Sequence, residues 1–322
     1  MKREILINGS QRETRVAILE DDRLVELLVD RPDHRRIVGD IYLGRVEAVL
    51  PGIQAAFVDI GLEKSAFLHA SDLLEPEEDE EPSGEEGDEA FEEAEAEEAE
   101  NGRGKGKGRG GNGSGEPRQR EVKSRRALPD VSDLLKKGQT LLVQVTKEPI
   151  STKGCRVTAQ ISLPGRFLVY MPFASKVGVS RKIESKELRS KLREMVGSML
   201  PKDEGGMIVR TVAEGVTEEH FRHEVESLLN LWRKINRKKN FVRAPSLVQR
   251  ETSLTRGIIR DLFSAKVDAL HVDSKELFNE IEGYLKQVDP ELLGRANLYA
   301  DAVPLFDKFD IENEIRDLFK AR

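Results

Sequence analysis

The first 30 residues alternate apolar and polar positions in three short runs. The runs cover Glu4 to Asn8, Thr14 to Leu19 and Leu24 to Val29, and the gaps between them hold the turn pairs Gly9-Ser10 and Asp21-Asp22. Alternation with a period of two, broken by tight turns, is typical of antiparallel strands. The pattern therefore predicts a three-stranded meander, which is too small to be stable alone and needs a partner elsewhere in the chain.

A second strand-rich block follows Val38 and ends near Leu163. Short apolar segments bounded by turn residues predict five strands, with one short helix near 131–136 between the third and the fourth. The predicted strands are 40–46, 53–60, 65–69, 140–147 and 155–163. Five short strands with a helix in that place are typical of an OB-type barrel.

From Gly165 onward, predicted strands alternate with predicted helices. An α+β module comes first, with strands at 167–171 and 207–211 and helices at 185–196 and 217–239. Residues 252–322 then give helix, strand, helix, strand, helix, with strands at 267–272 and 297–300 and helices at 274–288 and 306–320. Added to the N-terminal meander, this is the order βββαβαβα of a ribonuclease H-like core.

The predicted fold class is thus α+β and multidomain, a ribonuclease H-like core interrupted by an OB-type barrel and an α+β module. The predicted boundaries are 1–38 and 252–322 for the two parts of the core, 39–159 for the barrel and 160–251 for the module. A chain of 322 residues is long enough for about two ordinary domains or more.

Charge is concentrated in one segment, residues 75–126. Its first half, Glu75 to Glu100, contains 16 acidic residues and no Lys or Arg, and its second half is rich in Gly, Lys and Arg. The segment carries a formal charge of −9, which leaves +2 on the rest of a chain whose net charge is −7. Such a composition predicts a disordered insert in a barrel loop. The acidic net charge therefore neither supports nor excludes nucleic acid as a partner.

Cysteine usage and hydropathy exclude several classes. The single cysteine, Cys155, allows no intrachain disulfide and no cysteine-based zinc site. No apolar run approaches the roughly 18 residues of a membrane span, and no signal-type apolar core follows the N-terminus. We therefore expect a cytoplasmic protein without a membrane span.

The predicted barrel offers one candidate binding site. Phe57 and Phe67 lie on its second and third strands, and Lys153 lies in the loop before its last strand. Exposed rings on which bases stack, with a cation for the phosphates, are what a single-stranded nucleic acid site needs. The alternative, which the pattern leaves open, is that both rings belong to the barrel core and Lys153 is merely solvated.

A second candidate is the pair Arg210-Thr211, at the end of an apolar strand. A guanidinium and a hydroxyl held by a rigid element can donate several hydrogen bonds to one phosphate. Gly165 would let the backbone approach a ligand closely, and Arg181 would add positive charge. A surface arginine at a strand end is the open alternative.

The predicted core lacks the usual sign of catalysis. Catalytic ribonuclease H-like proteins place an Asp on the first strand, whereas this strand is Glu4-Ile5-Leu6-Ile7-Asn8. Two-metal chemistry needs clustered carboxylates, and the predicted strands carry no such cluster. We expect the core to be a scaffold.

Six segments follow one another in an order shared with a known family. They are KREILIN at 2–8, DIYLGRV at 40–46, AAFVDIG at 55–61, KG at 153–154, ISLPG at 161–165 and GMIVRT at 206–211. Through them the chain resembles the ribonuclease E/G family of bacterial endoribonucleases, from residue 1 to residue 322 apart from 75–126.

The resemblance implies RNA as the partner. The barrel is similar to the family's S1 domain, in which Phe57, Phe67 and Lys153 match residues that grip single-stranded RNA. The module is similar to the family's 5′ sensor, which recognises a 5′-monophosphate. There Arg210 and Thr211 match the phosphate-binding pair, Gly165 and Val169 match the nearby backbone, and Arg181 matches a supporting arginine.

Two departures limit what the resemblance implies. The family cuts RNA with Mg²⁺-binding aspartates of a DNase I-like domain, which would begin after the segment resembling 303–306, and its zinc-binding cysteines would lie further on. We therefore expect neither a Mg²⁺ site nor a zinc site in these 322 residues, and no RNA cleavage by this chain alone. Whether the chain forms a homo-oligomer is not decided by the sequence. The insert at 75–126 is the second departure, and three roles stay open for it. Its Gly-, Lys- and Arg-rich half could add RNA contacts, its acidic half could compete with RNA for the barrel, or the whole insert could be an inert tether. A stand-alone, non-enzymatic RNA-binding adaptor is the alternative function.

Overall fold

The computed structural model describes residues 2–10, 12–31, 36–74, 129–150, 153–264 and 266–320, so the predicted insert at 75–126 lies outside the described residues. The strands are β1 (Arg3–Gly9), β2 (Thr14–Glu20), β3 (Arg23–Asp30), β4 (Ile41–Leu50), β5 (Ala55–Asp59), β6 (Ala66–His69), β7 (Thr140–Lys147), β8 (Arg156–Thr158), β9 (Leu163–Pro164), β10 (Leu168–Met171), β11 (Val177–Val179), β12 (Gly206–Val209), β13 (Ser246–Gln249), β14 (Ala269–Val272) and β15 (Ala296–Leu298).

The helices include both α-helices and short 3-10 turns. The α-helices are α1 (Val131–Leu134), α2 (Lys186–Met199), α3 (Glu218–Phe241), α4 (Leu254–Asp261), α5 (Lys275–Val288), α6 (Leu305–Lys308) and α7 (Ile311–Lys320). The 3-10 helices are Pro51–Ile53, Ala70–Leu73, Thr211–Ala213 and Pro290–Arg295. This is a mixed α/β protein, and none of its described helices is both long enough and apolar enough to cross a membrane.

The chain divides into two compact units. One contains residues 1–38, 162–240 and 249–322, and the other contains 39–161 and 241–248. Both units are discontinuous in sequence. The predicted domain boundaries are not tested by this division and stay predictions.

The first unit contains a five-stranded sheet in the order β15-β14-β1-β2-β3. β1 pairs in parallel with β14 and antiparallel with β2, so Ile5 lies between Leu270 and Ile18. The predicted N-terminal meander thus finds its partner near the C-terminal end of the chain. Alternate β1 side chains pack on opposite faces, Ile5 and Ile7 against α4 and α5 and Leu6 against α6.

The same unit holds a four-stranded sheet in the order β11-β12-β10-β9. β12 is antiparallel to β10 and parallel to β11. Apolar side chains at helical spacing bury one face of the long helix α3, and Ser185 caps the N-terminus of α2 by accepting a hydrogen bond from the Leu188 amide at 3.1 Å.

The second unit is built on a closed barrel of five strands. The sheet order is β13-β4-β5-β6-β8-β7, and a further pairing of β4 with β7 closes it. α1 lies between the third and fourth barrel strands, as the sequence predicts, and Asp130 caps it by accepting a hydrogen bond from the Ser132 amide at 2.8 Å. The predicted five-stranded barrel is confirmed, and the structure shows that it is closed.

Several predicted elements need correction. The strand expected at 155–163 ends at Thr158, and Leu163–Pro164 pairs in the other unit as β9. The single helix expected at 306–320 is two helices, because Asp310 adopts a left-handed φ of 59° between them. The strands β11 and β13 were not predicted.

Candidate functional site

The two barrel phenylalanines face each other across neighbouring strands. Phe57 on β5 pairs in register with Phe67 on β6, and their rings meet edge to face with centroids 6.2 Å apart. Phe67 is only 1% exposed and packs with Ala55 and Ile53, whereas Phe57 is half-buried. Of the two predicted stacking rings, only Phe57 has exposed surface on which a base could stack. Phe67 belongs to the barrel core and contacts the Phe57 ring from inside.

Lys153 lies in the connection that leads into β8, and this connection runs beside β6. The Phe67 amide donates to the carbonyl of Cys155 at 2.8 Å, two residues after Lys153. Gly154 passes so close to β6 that an added Cβ would lie 2.0 Å from the Ser65 carbonyl oxygen. Only glycine fits there, and this contact brings the Lys153 backbone to the strand that carries Phe67.

Arg210 follows β12, in the first unit, and its guanidinium is held in place. Its Nη1 donates to the Gly165 carbonyl at 2.8 Å and to Asp261 Oδ1 at 2.7 Å, and its backbone amide donates to the Phe167 carbonyl at 2.8 Å. The side chain is 27% exposed. A guanidinium fixed through one nitrogen at a strand end can still present its remaining N–H groups to an anion.

The segment that contains Gly165 is fixed by a half-buried carboxylate on α3. Glu224 Oε1 accepts from the Arg166 amide at 2.6 Å, and Oε2 accepts from the amides of Phe167 and Leu168 at 2.9 and 2.8 Å. Burial raises the pKa of Glu224 more than these hydrogen bonds and the Arg166 charge lower it. A Cβ at Gly165 would lie 2.7 Å from Glu224 Oε1 and 3.0 Å from the Leu168 carbonyl oxygen, so a side chain there would displace the carboxylate.

Asp261 joins two arginines at the end of α4. Arg260 Nη2 donates to Asp261 Oδ2 at 2.9 Å, and Arg260 Nη1 donates to Glu251 Oε1 at 2.9 Å. Burial of the Asp261 carboxyl raises its pKa, but the hydrogen bonds and charges of Arg260 and Arg210 outweigh burial and hold the pKa below its usual value. Asp261 is therefore ionised at neutral pH and orients the Arg210 guanidinium.

The remaining predicted sensor residues lie around the same strand ends. Val169 on β10 is half-buried and pairs with Ile208 of β12. Thr211 is exposed and begins a 3-10 turn directly after Arg210. Arg181 is exposed, and the preceding amide, that of Ser180, donates to the Val209 carbonyl at 2.9 Å. The structure thus groups the predicted sensor residues near the end of β12.

Sequence reasoning missed Glu224, Asp261 and Arg260. Glu224 could have been found, because it lies three residues after Phe221 and one before Val225, on the apolar face of α3 where an acid is unexpected. Asp261 and Arg260 gave no comparable signal, since a charged pair ending a helix is ordinary.

Within the described ranges, no group of three or more His, Cys, Asp or Glu side chains is placed to hold an ion. The residues described here do not fit a two-metal centre, so we assign them no metal-dependent step.

The fold and these sites define a mixed α/β protein. It combines a closed five-stranded barrel, which carries a partly exposed ring, with an arginine fixed at the end of a strand. The sequence profile of the Ribonuclease E/G family matches residues 162–322. The chain belongs to this family.

Individual relatives extend the similarity over almost the whole chain. Ribonuclease G of Haemophilus influenzae is 39% identical over 320 residues, covering 99% of this chain and 57% of the relative. Ribonuclease G of Escherichia coli is 38% identical over 316 residues, covering 98% and 57%. Ribonuclease E of Nostoc is 32% identical over 329 residues, covering 100% and 40%. The chain thus spans little more than half of the Ribonuclease G relatives.

Proposed function

We propose that this chain binds single-stranded RNA and recognises a 5′-monophosphate, as part of an endoribonuclease of RNA processing and decay. The observation that carries the proposal is the Arg210 guanidinium, fixed by Asp261 and by the Gly165 carbonyl at the end of β12. The exposed Thr211 lies next to it in sequence. Such a group is suited to a terminal phosphate, which offers several acceptor oxygens.

The barrel supplies the second part of the proposal. The half-buried Phe57 ring stacks a base downstream of the 5′ end, with Phe67 behind it and Lys153 near the phosphates. The strand order β15-β14-β1-β2-β3 supports a ribonuclease H-like scaffold for the sensor. Mg²⁺ is expected for the family's complete enzyme, and these 322 residues are expected to bind RNA without cutting it.

The test is fluorescence-anisotropy binding of one short single-stranded RNA that carries either a 5′-monophosphate or a 5′-hydroxyl, with Mg²⁺ present. The monophosphate is expected to bind more tightly, and Arg210→Ala should abolish that preference. The control Arg193→Ala, at an exposed position on α2, also removes one positive charge, but it should leave the preference for the 5′-monophosphate unchanged. A gel run afterwards shows whether the RNA is intact, and a Mg²⁺-dependent cut by pure protein would contradict the predicted inactivity.

A barrel variant separates the two parts. Phe57→Ala should weaken binding of both RNAs by about 1–3 kcal/mol and leave the ratio between them unchanged. Equal affinity of the wild type for both RNAs would refute 5′ sensing. The adaptor function, resting on the barrel or the insert, would then be the better explanation.

A further inference from the structure

The C-terminal half of α3 carries a concentration of positive charge that the proposed sites do not use. Residues 233–240 include five Lys or Arg and no acid, whereas residues 218–226 of the same helix include four Glu. We define the α3 basic face by its exposed polar residues, Arg233, Lys234, Asn236, Arg237, Lys238 and Asn240.

This face lies opposite the buried side of the helix. Ile235 is buried, while Arg233, Asn236, Arg237 and Asn240 line a surface cavity of about 400 Å³. Asn236 and Arg237 lie three and four residues after Arg233, and Asn240 lies three after Arg237, so the four positions share one side of the helix. The aliphatic parts of these side chains line most of the cavity, and the charged groups of the α3 basic face lie around it.

Aromatic side chains adjoin the α3 basic face. Trp232, the residue before Arg233, is half-buried and meets Phe173 edge to face, with ring centroids 5.6 Å apart. Phe173 is 51% exposed. A half-exposed ring beside cations offers a face on which a base can stack.

The helix dipole accounts for only part of this charge. A cation is favoured within the last turn of a helix, but Arg233 and Lys234 lie about two turns before the end at Phe241. Glu204 binds Arg233 with both carboxylate oxygens at 3.0 Å. No side-chain partner is found for Lys234 or Lys238 in the described part of the chain, so their charges are available to a ligand.

We propose that the α3 basic face is an additional contact surface for single-stranded RNA, distinct from the barrel and from Arg210. Lys234, Arg237 and Lys238 bind backbone phosphates, and Phe173 stacks a base. The choice of RNA over an acidic protein rests on the proposed function and on the exposed ring beside the cations, which suits a base.

The test compares two triple variants that remove the same charge from different helices. Lys234→Gln/Arg237→Gln/Lys238→Gln changes the α3 basic face and leaves the Arg233–Glu204 pair intact. The control, on α2, substitutes glutamine for two lysines and one arginine that are likewise exposed, Lys186, Lys191 and Arg193. Thermal melting checks that both variants are folded.

Affinity for a 5′-hydroxyl RNA is measured by anisotropy at several salt concentrations. The α3 variant should bind about tenfold or more weakly at low salt, and its plot of log K against log salt should be flatter by about 1.4 to 2, since each lost phosphate contact contributes about 0.7. The α2 variant should resemble the wild type. Phe173→Ala should weaken binding about fivefold or more without changing the slope.

Two outcomes would overturn the proposal. Equal weakening of RNA binding by both triple variants would show a general effect of net charge. Unchanged RNA binding by the α3 variant would show that the α3 basic face binds an acidic protein or is merely solvated. The affinity ratio of 5′-monophosphate to 5′-hydroxyl RNA, measured in the same titrations, should stay at its wild-type value in the α3 variant. Loss of 5′ sensing and loss of the α3 contact are therefore separate results.

Discussion

Glu224 accepts hydrogen bonds from three consecutive amides of the segment that follows Gly165, and its substitution gives a graded prediction. In Glu224→Ala, the amides of Arg166, Phe167 and Leu168 lose their acceptor. A buried donor without a partner costs about 1–3 kcal/mol, so we expect a loss of about 3 kcal/mol or more in the free energy of unfolding.

Glu224→Gln should cost less, because its remaining oxygen can replace Oε2, which accepts from both Phe167 and Leu168. Only the Arg166 amide then loses its acceptor, for about 1–3 kcal/mol. Since the pKa of Glu224 is raised in the folded protein, wild-type stability falls as pH rises from the usual 4.5 through that raised pKa. The stability gap between wild type and Glu224→Gln should therefore widen as pH is lowered toward 4.5.

Urea denaturation can be followed through Trp232, the only tryptophan, which lies on the same helix. Glu226→Ala, at an exposed position on that helix, is the matched control and should change stability by less than about 0.5 kcal/mol. Glu224→Gln should also reduce the 5′-monophosphate preference, because the Gly165 carbonyl holds Arg210. If Glu224→Ala were no less stable than Glu226→Ala, the assignment of this carboxylate as the anchor of the segment would be wrong.

Three further predictions concern the barrel and Asp261. Gly154→Ala would place a Cβ 2.0 Å from the Ser65 carbonyl oxygen and should destabilise the barrel by about 1–3 kcal/mol, seen as a lower Tm. Phe67→Ala, at a 1% exposed position, should lower the free energy of unfolding by about 3–5 kcal/mol, and an unchanged value would show that the ring is not part of the core. Asp261→Asn should weaken the 5′-monophosphate preference by loosening Arg210. Because the pKa of Asp261 is lowered on folding, its stabilising effect is complete above its usual pKa of 3.8 and is lost as pH falls through the folded value, so urea midpoints of wild type and Asp261→Asn should converge in acid.

The sequence predicted elements well where one face is buried. Alternation identified β1, β2 and β3, and helical spacing identified α2 and α3 to within a few residues. It failed where tertiary pairing decides. β13 has only four residues and is a strand because it pairs with β4, a contact that no local pattern encodes.

The candidate sites show the same division. Arg210 and Gly165 could be singled out from residue type and position, yet their meeting depends on Glu224 and Asp261, which lie 59 and 96 residues beyond Gly165 in sequence. The burial of Phe67 was also open, because a phenylalanine on a barrel strand faces inward or outward according to register. Register is set by strand pairs rather than by composition.

The pairing of β1 with β14 has a consequence for how the protein is made. The parallel neighbour of β1 begins at Ala269 and is therefore synthesised about 260 residues after β1. At roughly 5–20 residues per second, the edge of β1 stays unpaired for some 10–50 s. During that time the meander is a sheet edge open to other chains, which is a known route to aggregation. The yield of folded protein should therefore depend on the rate of translation and on the availability of chaperones, and not only on the stability of the finished fold.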